Sequence, residues 1–315
     1  MNVGMRVLVT GANGFVGRSL VESLLDDNVP VRILTRNPDS LPERWSGRVE
    51  IAVGDLAVAT TLREAVTDCG SVYHLAGEIR DPKIMWAVNK EGTERLLEAS
   101  VNAGVQRFLY LSSVGVIGCR GDVGQVDDTT PPRPRNSYEK SKLAGEIAAL
   151  RCHNEGGMCV NSIRPSTIYG ENRNGCRDSF LAWVRLIGSE RYVLFGRNCI
   201  SGYVYVRDVV AACRFEERLS GHGGKTFIVN ENISLNLFAD EIASVLGVRR
   251  PWVLPGMLGG FAAGTLRVTG RFGTLCSRTV FSMAKLEQEG FVLPHGYRAG
   301  LRTTLQWYRE QGCLR

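Results

Sequence analysis

The chain holds nine cysteines but no Cys-x-x-Cys pair, and no histidine stands near a cysteine at ligand spacing. That pattern excludes the common zinc and dithiol frameworks, and no metal site is expected. Cys69, Cys119, Cys152, Cys159, Cys176, Cys199, Cys213, Cys276 and Cys313 are spread singly, which predicts reduced, buried thiols in a cytoplasmic protein. No run of five or six basic residues occurs, and no basic stripe with interleaved aromatics, although the formal net charge is +6. A nucleic-acid partner is therefore not expected. The scattered arginines suit a phosphate-bearing ligand, because the guanidinium fork matches phosphate oxygens. A membrane span needs ~20 apolar residues, and the apolar, glycine-rich stretch from Trp252 to Leu266 is cut short by Arg267 and Arg271. It reads as a packed helix. The alternative is peripheral membrane contact, with Arg249, Arg250, Arg267 and Arg271 near anionic headgroups. No charged and apolar leader precedes Met5, so export is not expected.

What is present is a globular composition, 44% hydrophobic and 22% charged over 315 residues, enough for a large α/β domain with a smaller one grafted on. Met5 to Thr10 is a β-branched run that stops at Gly11, and Gly11-Ala12-Asn13-Gly14-Phe15-Val16-Gly17 follows as a Gly-x-x-Gly-x-x-Gly loop. From Phe15 to Leu25 the apolar residues recur at helical spacing. Strand, glycine turn and helix in this order predict the first unit of a dinucleotide-binding fold, with the pyrophosphate at the helix N-terminus. A second strand, Val31 to Thr35, ends in Arg36 with no acidic residue until Asp39. An acid there would hold a ribose 2′-hydroxyl, whereas Arg accommodates a 2′-phosphate, so NADP is expected ahead of NAD.

Further strands are expected at Val49–Val53, Ser71–Leu75, Arg107–Leu111 and Val160–Ile163, with helical patterns at Leu62–Val66 and Ile84–Ala103. The alternation predicts a parallel sheet whose ligand crevice lies beyond the C-terminal strand ends, where Gly11, Asp55, Ala76 and Ser113 fall. His74 reads as a packed strand residue. Pro165 is expected to end the sixth strand. Beyond Gly170 the pattern loosens into a smaller mixed region. The expected fold class is α/β: a Rossmann-type doubly wound parallel sheet with a smaller mixed α/β C-terminal part. Residues 1–170 form the NAD(P)-binding domain, residues about 200–230 return to it, and 171–315 are mainly substrate-binding.

Asn136-Ser137-Tyr138-Glu139-Lys140-Ser141-Lys142 follows a proline-rich loop. If it opens a helix, Tyr138 and Lys142 share one face. An ammonium beside a phenol favours the phenolate, which suits the pair to proton transfer near neutral pH.

With these motifs in order, the chain resembles the extended short-chain dehydrogenase/reductase superfamily, in particular its NAD-dependent epimerase/dehydratase branch acting on nucleotide sugars. The resemblance rests on the Gly11 loop, Asp55-Leu56, His74-Leu75-Ala76-Gly77, Asn89 to Thr93, Ser112-Ser113 through Gly118, Tyr138 with Lys142, Arg164 to Gly170, and Tyr205-Val206-Arg207-Asp208-Val209. It implies Ser113, Tyr138 and Lys142 as the catalytic trio. It implies cofactor contacts from Gly11, Asn13, Gly14, Phe15, Val16, Gly17, Arg36, Asp55, Leu56, Leu75, Ala76, Gly77, Asn89, Ser112, Tyr138, Lys142 and Pro165. Substrate contacts would come from Glu78, Ser113, Thr167, Arg197, Arg207 and Arg278, and a homodimer is expected. Ile117 and Arg207 depart from the branch pattern, and Ser113-Val114-Gly115 replaces the Thr-Asp-Glu of dehydratases, which argues against dehydration. The implied reaction is NAD(P)-dependent chemistry at hexose C4 of a nucleotide sugar. Reduction of a 4-keto sugar stands slightly ahead of 4-epimerisation with retained NAD, and a non-catalytic dinucleotide-binding sensor or assembly protein stays open.

Overall fold

A computed structural model describes residues 5–118, 124–171, 179–190, 192–195, 200–219, 223–254 and 279–314. The chain divides into two compact units. One comprises Met1–Gly118, Pro131–Pro165 and Val209–Val229, the other Cys119–Thr130, Ser166–Asp208 and Asn230–Arg315.

In the first unit the elements run β1 (Arg6–Thr10), α1 (Phe15–Asp26), β2 (Val31–Thr35), β3 (Glu50–Val53), α2 (Ala59–Val66), β4 (Cys69–His74), α3 (Gly92–Asn102), β5 (Arg107–Leu111), α4 (Ser137–Gly156), β6 (Cys159–Pro165), α5 (Val206–Arg218) and β7 (Thr226–Val229). The seven strands lie in the order β7-β6-β5-β4-β1-β2-β3, and every pairing is parallel. β1 is an interior strand, with Val9 opposite Ile33 on one side and Tyr73 on the other. A strand covered on both faces must be apolar throughout, and Val7, Leu8 and Val9 are all buried. Leu8, Leu34, Val72, Phe108 and Val160 pack against Leu62 of α2, Leu96 of α3 and Ala149 of α4. Arg214 of α5 donates to the Ser23 carbonyl at 2.7 Å and pairs with Asp27 at 2.7 Å, which ties α5 to α1. This is the expected Rossmann-type sheet.

Two expected boundaries shift. The pattern from Ile84 to Ala103 is interrupted by a π turn, Ala87–Glu91, before α3 begins. One extra residue per turn rotates Asn89 inward, where it is 1% exposed. β6 continues through Pro165, which pairs with Val229. Past Ile163 its described neighbour is β7 alone, so the missing N–H faces the unpaired side.

In the second unit Thr167–Tyr169 is a strand. It forms a three-stranded sheet with Ile200–Tyr205 and Glu231–Ser234. Tyr169, Phe180, Trp183, Tyr203 and Phe238 make its aromatic core, with Trp183 and Tyr203 stacked at 7° between ring planes. Trp252–Leu254 is a strand paired with Val193–Phe195, not the start of a helix, and Trp252 is 77% exposed. Residues 255–266 of that apolar stretch lie outside the described residues. No helix among the described residues is long and apolar enough to cross a membrane. Cys69, Cys152, Cys159 and Cys213 are in no disulfide, but Cys313 is disulfide-bonded. The expectation of reduced thiols therefore fails at Cys313, because residue spacing does not report which distant cysteines the fold brings together.

Glu216 on α5 is buried and accepts from the Asn161 amide, and burial pushes its carboxyl up to about 7. Raised from 4.5, the acid costs no stability while it is protonated in both states. The cost accumulates as pH rises from the unfolded value through about 7. Glu216→Gln keeps the amide's acceptor, so it is expected to stabilise the protein by about 1–3 kcal/mol at pH 8 and by almost nothing at pH 4. Urea denaturation at both pH values measures this, and an equal difference at the two would refute it.

Candidate active site

The C-terminal ends of β1, β4 and β5 bring the expected residues of the first unit together. Gly11 has φ +70°, and a Cβ there would stand 2.6 Å from the Ala76 nitrogen. Only glycine tolerates both conditions. At Gly17 on α1 a Cβ would fall 2.1 Å from the Gly11 carbonyl oxygen, so the loop and helix can touch only without side chains. Gly14 is the N-cap of α1. No side chain caps this helix, and its first turn carries no acid. Asn13 is held by Arg18, whose Nε donates to Oδ1 at 3.1 Å, and its own amide donates to Ser40 at 2.9 Å. Phe15 and Val16 open α1.

Around this loop, Leu75 donates its N–H to the Thr10 carbonyl at 3.2 Å and Ala76 donates to the Thr10 hydroxyl at 3.3 Å. Asp55 caps its own turn by accepting from the Ala57 N–H at 2.8 Å, and Leu56 is buried beside it. Arg36 is 77% exposed, 3.8 Å from Asp55. Exposed pairs of this kind contribute about 0–1 kcal/mol. Ser112 donates its N–H to Ile163, and its hydroxyl is buried with no partner among the described residues. An uncapped, acid-free helix N-terminus, glycines whose missing Cβ atoms open the loop, and an orphan buried hydroxyl all fit a dinucleotide diphosphate and its attached groups.

Asn136 starts α4 by accepting from the Glu139 N–H at 2.9 Å, while the Glu139 carboxylate reaches back to the Arg135 N–H at 2.6 Å. This reciprocal cap fixes the helix start, and with it the shared face of Tyr138 and Lys142. Ser113 is extended at the end of β5, and its hydroxyl accepts from the Gly115 N–H at 3.1 Å and lies near enough to the Tyr138 phenol to favour its ionised form. Lys142 is 4% exposed, and its Nζ lies 3.8 Å from where a Cβ of Gly77 would be. Pro165 closes the end of β6.

The electrostatics differ from the sequence expectation. Burial pushes the Tyr138 phenol up, with an opposing pull from the Ser113 hydroxyl and a further push from Glu139. The expected lowering by Lys142 does not appear. Burial brings the Lys142 ammonium down to about 7 against the supporting charge of Glu146, so it is only partly charged at neutral pH. How deeply a side chain is buried is not readable from a four-residue spacing.

Asn89 and Glu78 hold the neighbouring loop. Asn89 accepts from the Glu78 N–H at 2.7 Å and donates to the Glu78 carbonyl and the Ser141 hydroxyl at 2.9 Å each. One Glu78 carboxylate oxygen accepts from the N–H groups of Ile79, Arg80 and Asp81. Those bonds hold its carboxyl below the usual range, so Glu78 is placed as a turn cap. His74 is fully buried, bonded to Thr10 at 2.7 Å and Thr93 at 2.9 Å, and burial brings its imidazole down to about 3. In the second unit Thr167 is exposed on its strand, and Arg207 pairs with the buried Glu171, which also accepts from Tyr205 at 2.8 Å. Arg197 and Arg278 lie outside the described residues.

Two contributors escaped the sequence reading: Tyr110, whose ring lies under Lys142, and Glu146, the next residue at i+4 on the same helix. Helical spacing carried on from Lys142 would have found Glu146. No local signal marks Tyr110.

The parallel sheet, with its glycine loop at the first strand-to-helix turn, defines a Rossmann-type protein of the extended short-chain dehydrogenase/reductase class. The sequence pattern of the NAD dependent epimerase/dehydratase family matches residues 7–227, and the chain belongs to that family. The chain is 28% identical over 324 residues to the N-acetyl-alpha-D-glucosaminyl-diphospho-ditrans,octacis-undecaprenol 4-epimerase of Escherichia coli O157:H7, covering 96% of this chain and 94% of that protein. It is 30% identical over 217 residues to the uncharacterized protein y4nG of Sinorhizobium fredii, covering 68% of this chain but only 54% of that one. Among solved structures, the Thermus thermophilus UDP-glucose 4-epimerase in complex with NAD superposes with TM-score 0.73 at 27% identity, over 97% of this chain and 99% of that one.

Proposed function

We propose that the first unit is the dinucleotide-binding domain of an oxidoreductase acting at hexose C4 of a nucleotide sugar, with Ser113, Tyr138 and Lys142 as the working trio. The second unit is read as mainly substrate-binding. The observation that carries this reading is that the Ser113 hydroxyl acts on the Tyr138 phenol, with buried Lys142 one turn further along α4. When bound, the nicotinamide supplies the hydride donor or acceptor. Ser113 orients the reacting oxygen. Tyr138 gives that oxygen its proton on reduction and takes it back on oxidation. Lys142 orients the cofactor ribose, and its charge, when present, favours loss of the phenolic proton.

Reduction of a 4-keto sugar with NADPH is the leading net reaction. Its support is the exposed Arg36 at the end of β2, whose weak pairing with Asp55 leaves the guanidinium able to meet a 2′-phosphate. The raised Tyr138 phenol also favours the protonated form that a keto oxygen needs. A second reading, 4-epimerisation with retained NAD, is supported by the Escherichia coli relative, whose name describes a 4-epimerase and which aligns over nearly the whole chain. With NADPH and a nucleotide 4-keto sugar, absorbance at 340 nm should fall stoichiometrically with substrate. Interconversion of C4 epimers without loss of NADPH would replace the first reading by the second. Cofactor binding with no turnover on a panel of nucleotide sugars would favour a sensor.

A further inference from the structure

The buried Lys142 ammonium has an unusual seat. The carboxylate that acts on it, Glu146, is committed elsewhere: it accepts from Arg164 Nε and the Ser162 hydroxyl at 3.0 Å each. What Nζ meets directly is the face of Tyr110, 4.1 Å from the ring centroid. That ring is fully buried and cannot turn freely. Its hydroxyl donates to the Lys142 carbonyl at 3.2 Å. It reaches α4 only because residue 145 is glycine, where a Cβ would lie 2.5 Å from the Tyr110 oxygen and 2.3 Å from the Asn89 carbonyl.

We propose that Tyr110 is a positioning residue for Lys142: its ring face, in place of a carboxylate partner, holds the ammonium beside Gly77 and favours its charged form in a buried site. The inference rests on the reading of Lys142 as part of the dinucleotide site. A carboxylate in contact would also hold the charge, but it would draw the ammonium into an ion pair. The quadrupole of an aromatic face attracts the cation and leaves its three N–H donors available.

The groups facing Lys142 from each neighbouring element are Tyr110 on β5, His74 on β4, and Tyr138 and Glu146 on α4. Asn89 on the π turn also approaches Gly77, without a titrating group. His74 is neutral throughout the neutral range and burial holds the Tyr110 phenol well above its ordinary value, so neither titrates alongside Lys142 near pH 7.

The test keeps the size and shape of the ring. Tyr110→Phe and its mono-, di- and trifluorinated phenylalanine analogues, introduced by nonsense suppression in the full chain, are titrated with NADH by fluorescence between pH 6 and 9. Tyr110→Phe should hold the NADH Kd within about 2-fold, since the ring is retained. Successive fluorines weaken the ring quadrupole, so Kd should rise stepwise, on the order of 10-fold across the series. The pH above which NADH binding weakens should move down in the same order. A flat series overturns the proposal, as does a Tyr110→Phe variant already as weak as the trifluorinated one, which would assign the effect to the hydroxyl. Lys142→Met separates this inference from the reading beneath it. If Lys142→Met binds NADH like the unaltered protein, the placing of Lys142 in the cofactor site fails and this inference with it. A weakened Lys142→Met beside a flat fluorine series overturns this inference alone.

Discussion

Tyr138→Phe is expected to lower turnover by about 10²- to 10⁴-fold while leaving NADH affinity within a factor of about 2. The substitution removes one oxygen from a half-buried ring on the first turn of α4 and leaves the Asn136 cap and the Lys142 seat in place. Only the proton path is cut. Ser113 keeps its Gly115 N–H bond, so it can still orient a substrate oxygen without a proton to pass on. Ser113→Ala removes the hydroxyl that acts on the same phenol. The two losses should therefore fall short of additivity in the double variant, as for groups that act as a unit. Steady-state kcat and KM together with NADH titration make the measurement. Near-normal turnover in Tyr138→Phe would remove Tyr138 from the proton path.

The largest stability effect is expected at Arg164. Its guanidinium and the Glu146 carboxylate are 6% and 2% exposed and paired through both Nε and Nη2, while Ser162 donates a further bond to the same carboxylate. Arg164→Met leaves that carboxylate buried with one hydroxyl partner, at an expected cost of about 3–5 kcal/mol. The double variant Glu146→Gln/Arg164→Met removes both charges and should recover most of the loss, because a neutral buried pair carries little desolvation cost. Equal destabilisation of single and double variants would mean that packing, not charge, holds this position. Denaturant midpoints for the three proteins decide it. Arg164 Nη1 is buried with no partner among the described residues, so the native pair is itself incompletely satisfied and its replacement need not be costly.

Much of the first unit is legible because its signals are local. The strand, glycine loop and helix at the N-terminus are consecutive in sequence, and the crowding that demands Gly17 is contact with Gly11 six residues away. Tyr138 and Lys142 share a face because 3.6 residues make a helical turn, and Asn136 announces where that helix begins. Elsewhere the pattern gave way to neighbours that spacing does not name. Ile84 to Ala103 has a helical period, yet a π turn is inserted where Asn89 must reach Glu78 and Ser141. Glu78 lies beside the expected site, but its carboxylate is taken by three N–H groups of its own turn. The expected pull of Lys142 on Tyr138 does not appear, and the phenol is raised by burial, a property of everything packed around the helix.

The sequence by itself determined the class of fold, the place of the glycine loop and the tyrosine and lysine that follow Ser113, since each depends on residues within a few positions of one another. Only the tertiary structure decided what surrounds that lysine. Tyr110 comes from a strand 32 residues earlier and Arg164 from one 22 residues later, and they meet α4 because the parallel sheet sets β5 beside β6. Backbone periodicity is a local property, whereas the charge state of a buried ammonium depends on every group the fold brings within reach.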